Sequence, residues 1–135
     1  MFYLGIDVAK AKIDCCLILE NSANKKKTKT FSNMPKGFEQ LQTWLNHHAA
    51  NSTQTIILME ATSIYHERLA KYLFDAGYQV CVTNPARARY FVQSMSKLNK
   101  TDKADSEVLA RFAMTADLHF WQPLPEHIQL LNALL

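Results

Sequence analysis

The sequence predicts an α/β domain built on a mixed five-stranded sheet with helices on both faces. Three strand-like segments come first, and helical and strand patterns then alternate along the chain. Early hairpins followed by this alternation are typical of sheets that combine antiparallel and parallel pairs. The length of 135 residues and the 48% hydrophobic content suit one globular domain, and the 20% charged content argues against disorder.

Five segments have the composition of strands, because apolar, β-branched and aromatic residues are enriched in sheets. Residues 2–8, 12–20 and 27–32 are separated by short links, which indicates an antiparallel meander. The compact apolar runs at 54–59 and 78–83 each follow a helical pattern and complete the predicted sheet.

Two helices with apolar stripes are predicted between the later strands. Pro35 suits the first turn of one helix, Thr62 or Ser63 can cap the next, and Gly77 should end it. The stripes consist of Phe38, Leu41, Trp44 and Leu45 in the first helix and Tyr65, Leu69, Tyr72, Leu73 and Ala76 in the second.

Helical patterns also follow the last strand. One helix is predicted to begin at Asn84-Pro85, and the last strong helix spans about 102–117. Pro123 and Pro125 then interrupt the chain, and residues 126–135 have the pattern of the start of another helix.

Four acidic residues stand where a carboxylate is locally out of place. Asp7 lies within the apolar first strand, Glu60 closes the apolar run before it, and Asp102 and Asp105 are one turn apart at the head of a helix. The predicted element order places Asp7 in mid-strand and Glu60 at the carboxyl end of a neighbouring strand. The head of the helix can dock beside both, where ligands of such sheets bind.

A cation would resolve the cost of gathering these carboxylates, because burying an unpaired charge is very unfavourable. Hard oxygen ligands suit Mg²⁺ or Mn²⁺, so Asp7, Glu60, Asp102 and Asp105 are predicted to be catalytic, metal-binding residues of a phosphoryl-transfer site. Local explanations stay open for each residue. Asp102 and Asp105 can cap a helix, Asp7 can bond to nearby backbone, and Glu60 can complement a helix dipole.

The segment from 84 to 103 is basic and leads directly into this helix head. It carries five cationic residues against one acid. Lysine and arginine contacts to phosphate supply the sequence-independent part of nucleic-acid affinity, and the alternative is a solvated helix and loop. The predicted nucleic-acid-binding residues are Arg87, Arg89, Lys97, Lys100 and Lys103. The separate lysine run at 25–29 lies near a predicted edge strand, where lysines block edge-to-edge pairing.

Several other classes of protein fit poorly. No apolar run approaches the roughly 20 residues of a membrane span, and the first 20 residues contain three acids, unlike a signal peptide. The three cysteines form no C-x-x-C pair and are predicted to be buried thiols in a reducing cytosol. The histidines show no ligand spacing, and three glycines leave no phosphate-binding loop. His66 follows Glu60 within a predicted helix and can approach the acidic site, but a surface role is favoured.

Three motifs resemble a known family. GIDVAK at 5–10, EATSIY at 60–65 and KTDKAD at 100–105 are similar, in that order, to the N-terminal domain of DEDD-type insertion-sequence transposases and Piv-like DNA invertases. The resemblance implies a ribonuclease H-like, RuvC-like fold. It also implies that the four acids named above bind divalent metal, because they match the four acidic positions of the family.

The family pattern extends further than this chain. Members continue through a coiled-coil region into a second domain with a serine implicated in strand exchange. Residues 1–121 are therefore expected to be the RuvC-like DEDD domain, and 122–135 the start of a helical, coiled-coil connection to a missing C-terminal domain. The resemblance implies DNA as partner, a structured guide RNA in members that use one, a homo-oligomer for the full-length protein and a cytoplasmic, nucleoid-associated location in a bacterium.

The resulting hypothesis is the metal-dependent N-terminal domain of a site-specific DNA transposase or recombinase, which would not complete recombination alone. Such a domain either cuts a strand itself or assists the serine. The alternatives are a non-catalytic DNA- or RNA-binding and assembly module and a nuclease that resolves Holliday junctions. Actin-like and sugar-kinase ATPases also carry Gly-Ile-Asp on a first strand, but this chain lacks their glycine-rich phosphate loops.

Overall fold

A computed structural model describes residues 1–19, 25–61, 64–84, 86–87, 90 and 105–115. These residues contain five strands, three helices whose bounds are described, and further helical positions at Ala86, Arg87 and Tyr90. The strands are β1 (Phe2–Val8), β2 (Lys12–Leu19), β3 (Lys26–Ser32), β4 (Thr55–Glu60) and β5 (Gln79–Thr83), and the helices are α1 (Pro35–His47), α2 (Glu67–Asp75) and α3 (Asp105–Thr115).

The strands form one mixed sheet in the order β3-β2-β1-β4-β5. The hairpin pairs β1–β2 and β2–β3 are antiparallel, whereas β1–β4 and β4–β5 are parallel. The predicted mixed five-stranded sheet with helices on both faces is therefore confirmed. The lysine run lies on β3, at an edge of the sheet, as the sequence predicted.

The two faces of the sheet are covered differently. Alternate residues of β1, such as Leu4 and Ile6, pack with α1 and α2 in the larger apolar cluster. On the opposite face, Tyr3, Leu58 and Cys81 pack against α3 in a smaller cluster. The sheet is thus a middle layer, and α3 alone covers one side of it within the described residues.

The start of α2 differs from the prediction. The helix begins at Glu67 with His66 at its N-cap, so Tyr65 lies in the preceding turn, and Thr62 and Ser63 lie outside the described residues. The Asn33 side-chain amide donates to the Tyr65 carbonyl oxygen at 3.0 Å. That oxygen would otherwise accept a bond within the helix, so a tertiary contact overrides the local pattern.

The end of α2 agrees with the prediction. Gly77 has a φ of +93°, a left-handed conformation that favours glycine. The Gly77 N–H donates to Phe74 O at 2.9 Å and the Tyr78 N–H donates to Leu73 O at 3.1 Å. This is the Schellman arrangement of a helix end.

The structure tests some of the remaining predictions, and others lie outside the described residues. The Pro35 start of α1 is confirmed, and Cys15, Cys16 and Cys81 are buried free thiols as expected. The predicted domain boundary at 121 and the helix at 126–135 lie outside the described residues. No helix in the described ranges has the length and apolarity that a membrane crossing requires.

Candidate active site at one end of the sheet

Polar residues form one transverse row across the five strands, near the carboxyl ends of β1, β4 and β5. Paired residues on neighbouring strands have their side chains on the same face. From β3 to β5, the row is Thr30, Asp14, Asp7, Glu60 and Thr83.

Asp7 and Glu60 occupy matching positions on neighbouring parallel strands. The last recorded pair of β1 and β4 is Ile6 with Met59, and Asp7 and Glu60 each come one position later. Neighbouring strands lie about 4.8 Å apart. The structure therefore brings together two predicted site residues that are 53 positions apart in sequence.

The row faces α3. Leu58 and Cys81 come two positions before Glu60 and Thr83, and both pack against that helix. Cys16, two positions after Asp14, packs against Ala110 of α3. Since side chains alternate along a strand, the polar row lies on this same face.

Gly5 allows α3 to lie directly on β1. A methyl group at Gly5 would overlap the backbone oxygen of Ser106 and the backbone nitrogen of Ala110. Only hydrogen fits between the two backbones. Gly5 stands two positions before Asp7, and Asp105 is the first residue of α3, so this close approach brings Asp105 to the Asp7 end of β1.

Asp7 lies in a negatively charged environment at the start of α3. Burial raises the pKa of the Asp7 carboxyl above its ordinary value, and the charges of Asp105 and then Asp14 raise it further, while Lys12 opposes them. Asp105 itself is exposed at the start of α3. Neighbouring negative charges that raise the pKa of Asp7 define a place where a cation would be stabilised.

The donors fit a hard divalent cation in their chemistry. Asp7, Glu60 and Asp105 offer carboxylate oxygens, the ligands that Mg²⁺ and Mn²⁺ prefer. Within the described ranges, no group of three or more His, Cys, Asp or Glu side chains stands ready to hold a metal ion. The fourth predicted acid, Asp102, lies outside those ranges.

Asp14 is an acid of the row that the sequence analysis did not select. It accepts a hydrogen bond from the Thr30 hydroxyl at 2.5 Å. This bond anchors its carboxylate on the β3 side of the row, away from Glu60. In the sequence, Asp14 is an isolated acid before two cysteines, with no local sign of a site. Its position beside Asp7 becomes evident only from the β1–β2 register.

Two buried polar atoms near this end of the sheet have no hydrogen-bond partner among the described residues: Thr83 Oγ1 and His66 Nδ1. Thr83 is 5% exposed and His66 is 8% exposed. The prediction of a surface role for His66 is therefore wrong. Burial lowers the pKa of its imidazole, although the nearby Glu67 opposes that shift. The sequence pattern places His66 within a helix, whereas in the structure it is the N-cap residue of α2.

An ion-pair network fixes α3 against the outer strands. Glu107 is 3% exposed. Its carboxylate pairs with Lys26 of β3 and, at 3.0 Å, with Arg111 one turn later on α3. Lys26 therefore lies on an edge strand and also forms an ion pair with a buried residue of α3. A buried carboxylate with two cationic partners resists movement of the helix that presents Asp105.

Asn33 ties the surrounding loops together. Its side-chain amide donates to Ala9 O at 2.8 Å as well as to Tyr65 O. Its backbone N–H donates to Ala11 O at 3.0 Å. The turn after β1, the start of α1 and the turn before α2 are thus held at one place beside the acids.

Of the predicted nucleic-acid-binding residues, the structure describes Arg87. Its backbone N–H donates to Asn84 Oδ1 at 2.8 Å, and its guanidinium lies 5.9 Å from the ring centroid of Phe112 on α3. The basic segment therefore begins against the helix that carries Asp105. Arg89, Lys97, Lys100 and Lys103 lie outside the described residues.

Comparison with known protein families gives a match over nearly the whole chain. The family model of the IS110-type DEDD transposases, described as a transposase, matches residues 4–135. The pilin gene-inverting protein of Moraxella bovis is 34% identical over 133 residues, which are 98% of this chain and 40% of that protein. The pilin gene-inverting protein of Moraxella lacunata matches with the same identity and coverage. The chain thus spans 40% of the length of these relatives.

Comparison with solved structures shows the fold. The RuvC protein of Thermus thermophilus, solved in complex with a Holliday junction, superposes with a TM-score of 0.55. The match covers 90% of this chain and 99% of RuvC at 12% sequence identity. The chain therefore has a RuvC-like fold, which the motifs at 5–10, 60–65 and 100–105 predicted.

Proposed function

This chain belongs to the DEDD transposase family, and we propose that it is the metal-dependent catalytic domain of a DNA transposase or recombinase. One observation carries the proposal: the register brings Asp7 beside Glu60, while the α3 N-terminus brings the charge of Asp105 close to Asp7. These three acids come from three distant parts of the sequence. A bound cation would offset the repulsion between these negative charges.

The proposed roles follow from where each acid lies. Asp7 and Glu60 sit on the rigid central strands, and Asp105 sits on a helix that Gly5 and Glu107 hold in place. Together with Asp102, they would hold one or two Mg²⁺ or Mn²⁺ ions. When bound, such ions polarise a scissile phosphate and lower the pKa of an attacking hydroxyl. The chain's own part is to fix the oxygen ligands before the substrate arrives.

The proposed nucleic-acid contacts lie on the basic segment that precedes α3. Arg87 begins this segment against Phe112, and Arg89, Lys97, Lys100 and Lys103 follow in the sequence. Cationic side chains leading into the acidic site would hold the phosphate backbone of DNA close to it. For the full-length protein we propose DNA transposition or inversion by a homo-oligomer, with a guide RNA in the members that use one. A cytoplasmic, nucleoid-associated location goes with that role.

Cleavage of DNA in the presence of divalent metal tests the proposal. The chain should bind labelled branched and linear DNA and nick it in Mg²⁺ or Mn²⁺, but not in EDTA. Asp7→Asn should bind the DNA and fail to nick it. Asp75→Asn, which removes an exposed acid of α2, is the matched control and should behave as the wild type.

The outcomes separate the rival functions. Binding without nicking in either metal would contradict the catalytic proposal and favour a binding and assembly module. Efficient, symmetrical resolution of Holliday junctions by these 135 residues alone would instead identify a resolvase. Nicking that survives Asp7→Asn would place the chemistry outside the acidic row.

A further inference from the structure

The end of β5 carries a buried hydroxyl next to the acidic row. Thr83 is the register partner of Glu60 on the neighbouring parallel strand. Its side chain lies on the same face as Glu60, because Cys81 and Leu58, two positions earlier, both pack against α3. Thr83 is therefore a lateral neighbour of a proposed metal ligand, on the side away from Asp7.

This hydroxyl has no hydrogen-bond partner within the described part of the chain, although Thr83 is only 5% exposed. Leaving a buried hydroxyl unsatisfied costs about 1–3 kcal/mol. The carbonyl oxygen of Thr83 accepts a hydrogen bond from the Ala61 N–H at 2.8 Å, and the residue belongs to the β4–β5 ladder. The unmet bonding capacity thus lies in the side chain alone.

Packing and strand preference do not explain why a hydroxyl is present. β5 reads Gln-Val-Cys-Val-Thr, and valine at 83 would have nearly the same shape and an equal preference for a strand. Valine would also remove the unsatisfied oxygen. A threonine at this position is understandable if its hydroxyl acquires a partner in the functional state.

We propose that Thr83 is a positioning residue of the acidic site, whose hydroxyl donates to the Glu60 carboxylate when that carboxylate turns to ligate a divalent cation. The donated hydrogen bond orients one Glu60 oxygen and leaves the other for the cation. Groups that orient metal-ligating carboxylates in this way affect metal affinity although they do not touch the ion. This inference rests on the proposed function, and it adds a residue outside the four acids of the family pattern.

Two measurements on the same variants test the role of Thr83. The first is thermal unfolding without metal, where Thr83→Val should raise the Tm by about 3 °C because it removes an unsatisfied buried hydroxyl. The second is Mn²⁺ calorimetry, where the same variant should bind with a Kd raised about tenfold. Thr83→Ser keeps the hydroxyl and should bind Mn²⁺ within about twofold of the wild type.

A purely structural role would not give this opposite pair of effects together with rescue by serine. Thr83→Val binding Mn²⁺ with the wild-type Kd would overturn the inference, and so would equal losses in the Val and Ser variants. Asp7→Asn is titrated in parallel. If Asp7→Asn loses binding while Thr83→Val keeps it, only the inference fails. If Asp7→Asn itself binds normally, the proposed function fails.

Discussion

The two faces of the sheet differ in the polarity of the side chains that they present. On the face covered by α1 and α2, the strands present Leu4, Ile6, Ile57 and Met59, all fully buried in one continuous apolar cluster. On the face covered by α3, the same strands present Tyr3 and Leu58 and then, at one end, the polar row. The first face is apolar throughout, whereas the α3 face combines a smaller apolar cluster with polar groups that are costly to bury.

The polar groups of the α3 face lower the stability of the fold. On the α3 face, Asp7 has a raised pKa because it is partly buried beside other carboxylates, and Thr83 Oγ1 is buried and unpaired within the described residues. Removing such groups should stabilise the metal-free protein. Changes on the other face should only destabilise it.

The largest effect is expected where the two backbones meet. Gly5→Ala places a methyl group against the backbone of Ser106 and Ala110, so α3 must move away from β1. We expect a loss of about 4 kcal/mol in the free energy of unfolding and a weakened Mn²⁺ affinity, because Asp105 moves with the helix. Urea unfolding and calorimetry measure the two effects. A Gly5→Ala protein with unchanged Mn²⁺ binding would show that α3 does not position the site.

A cavity on the opposite face should affect stability alone. Leu41 of α1 is fully buried in the large cluster, and Leu41→Ala should cost about 3 kcal/mol. The Mn²⁺ Kd of the folded variant should equal that of the wild type. A large change in Kd would mean that the two faces are coupled more tightly than their separate clusters indicate.

The ion-pair network should give an intermediate effect. Glu107→Gln removes the charge that Lys26 and Arg111 share. Loss of a buried partner can cost 3–5 kcal/mol, but Lys26 is 48% exposed on its side chain, and solvent would screen it once it is unpaired. We expect a loss of about 2 kcal/mol in urea unfolding. Lys71→Ala, which breaks an exposed pair with Asp75 on α2, is the control and should cost less than about 0.5 kcal/mol.

The smallest effect is a change in the pH dependence of stability. Above the ordinary Asp7 pKa of 3.8, the folded state holds this proton more tightly than the unfolded chain does. The free energy of unfolding therefore falls as the pH rises from 3.8 through the raised pKa of Asp7 in the folded state. Asp7→Asn should be more stable than the wild type at neutral pH without metal, and this advantage should vanish as the pH falls toward 3.8. Thermal melts across this range measure it. A variant less stable than the wild type at neutral pH would contradict the raised pKa.

Local patterns predicted most of the fold. The five strands and α1 were predicted from the sequence because their apolar periodicity and Pro35 are local signals. The start of α2 was missed because the Tyr65 carbonyl is held by Asn33, 32 positions away in sequence. A contact between residues so far apart in sequence produces no recognisable pattern of apolar residues near residue 65.

The candidate site was predictable only in part, for a similar reason. Asp7, Glu60 and Asp105 could be selected because a carboxylate beside an apolar run is locally costly. Asp14 and Thr83 look ordinary in their strands and become members of the row only through the register with Asp7 and Glu60. The roles of all these residues as metal ligands or as their neighbours remain predictions for experiment.

Calorimetric titration of Mn²⁺ tests the central claim most directly, that distant acids form one cation site on the α3 face. The titrations compare the wild type with Asp7→Asn, Asp105→Asn and the control Asp75→Asn, each shown to be folded by its thermal melt. We predict that the Kd rises at least about tenfold in the first two variants and stays at the wild-type value in the control. Wild-type binding in both Asp7→Asn and Asp105→Asn would contradict the shared site.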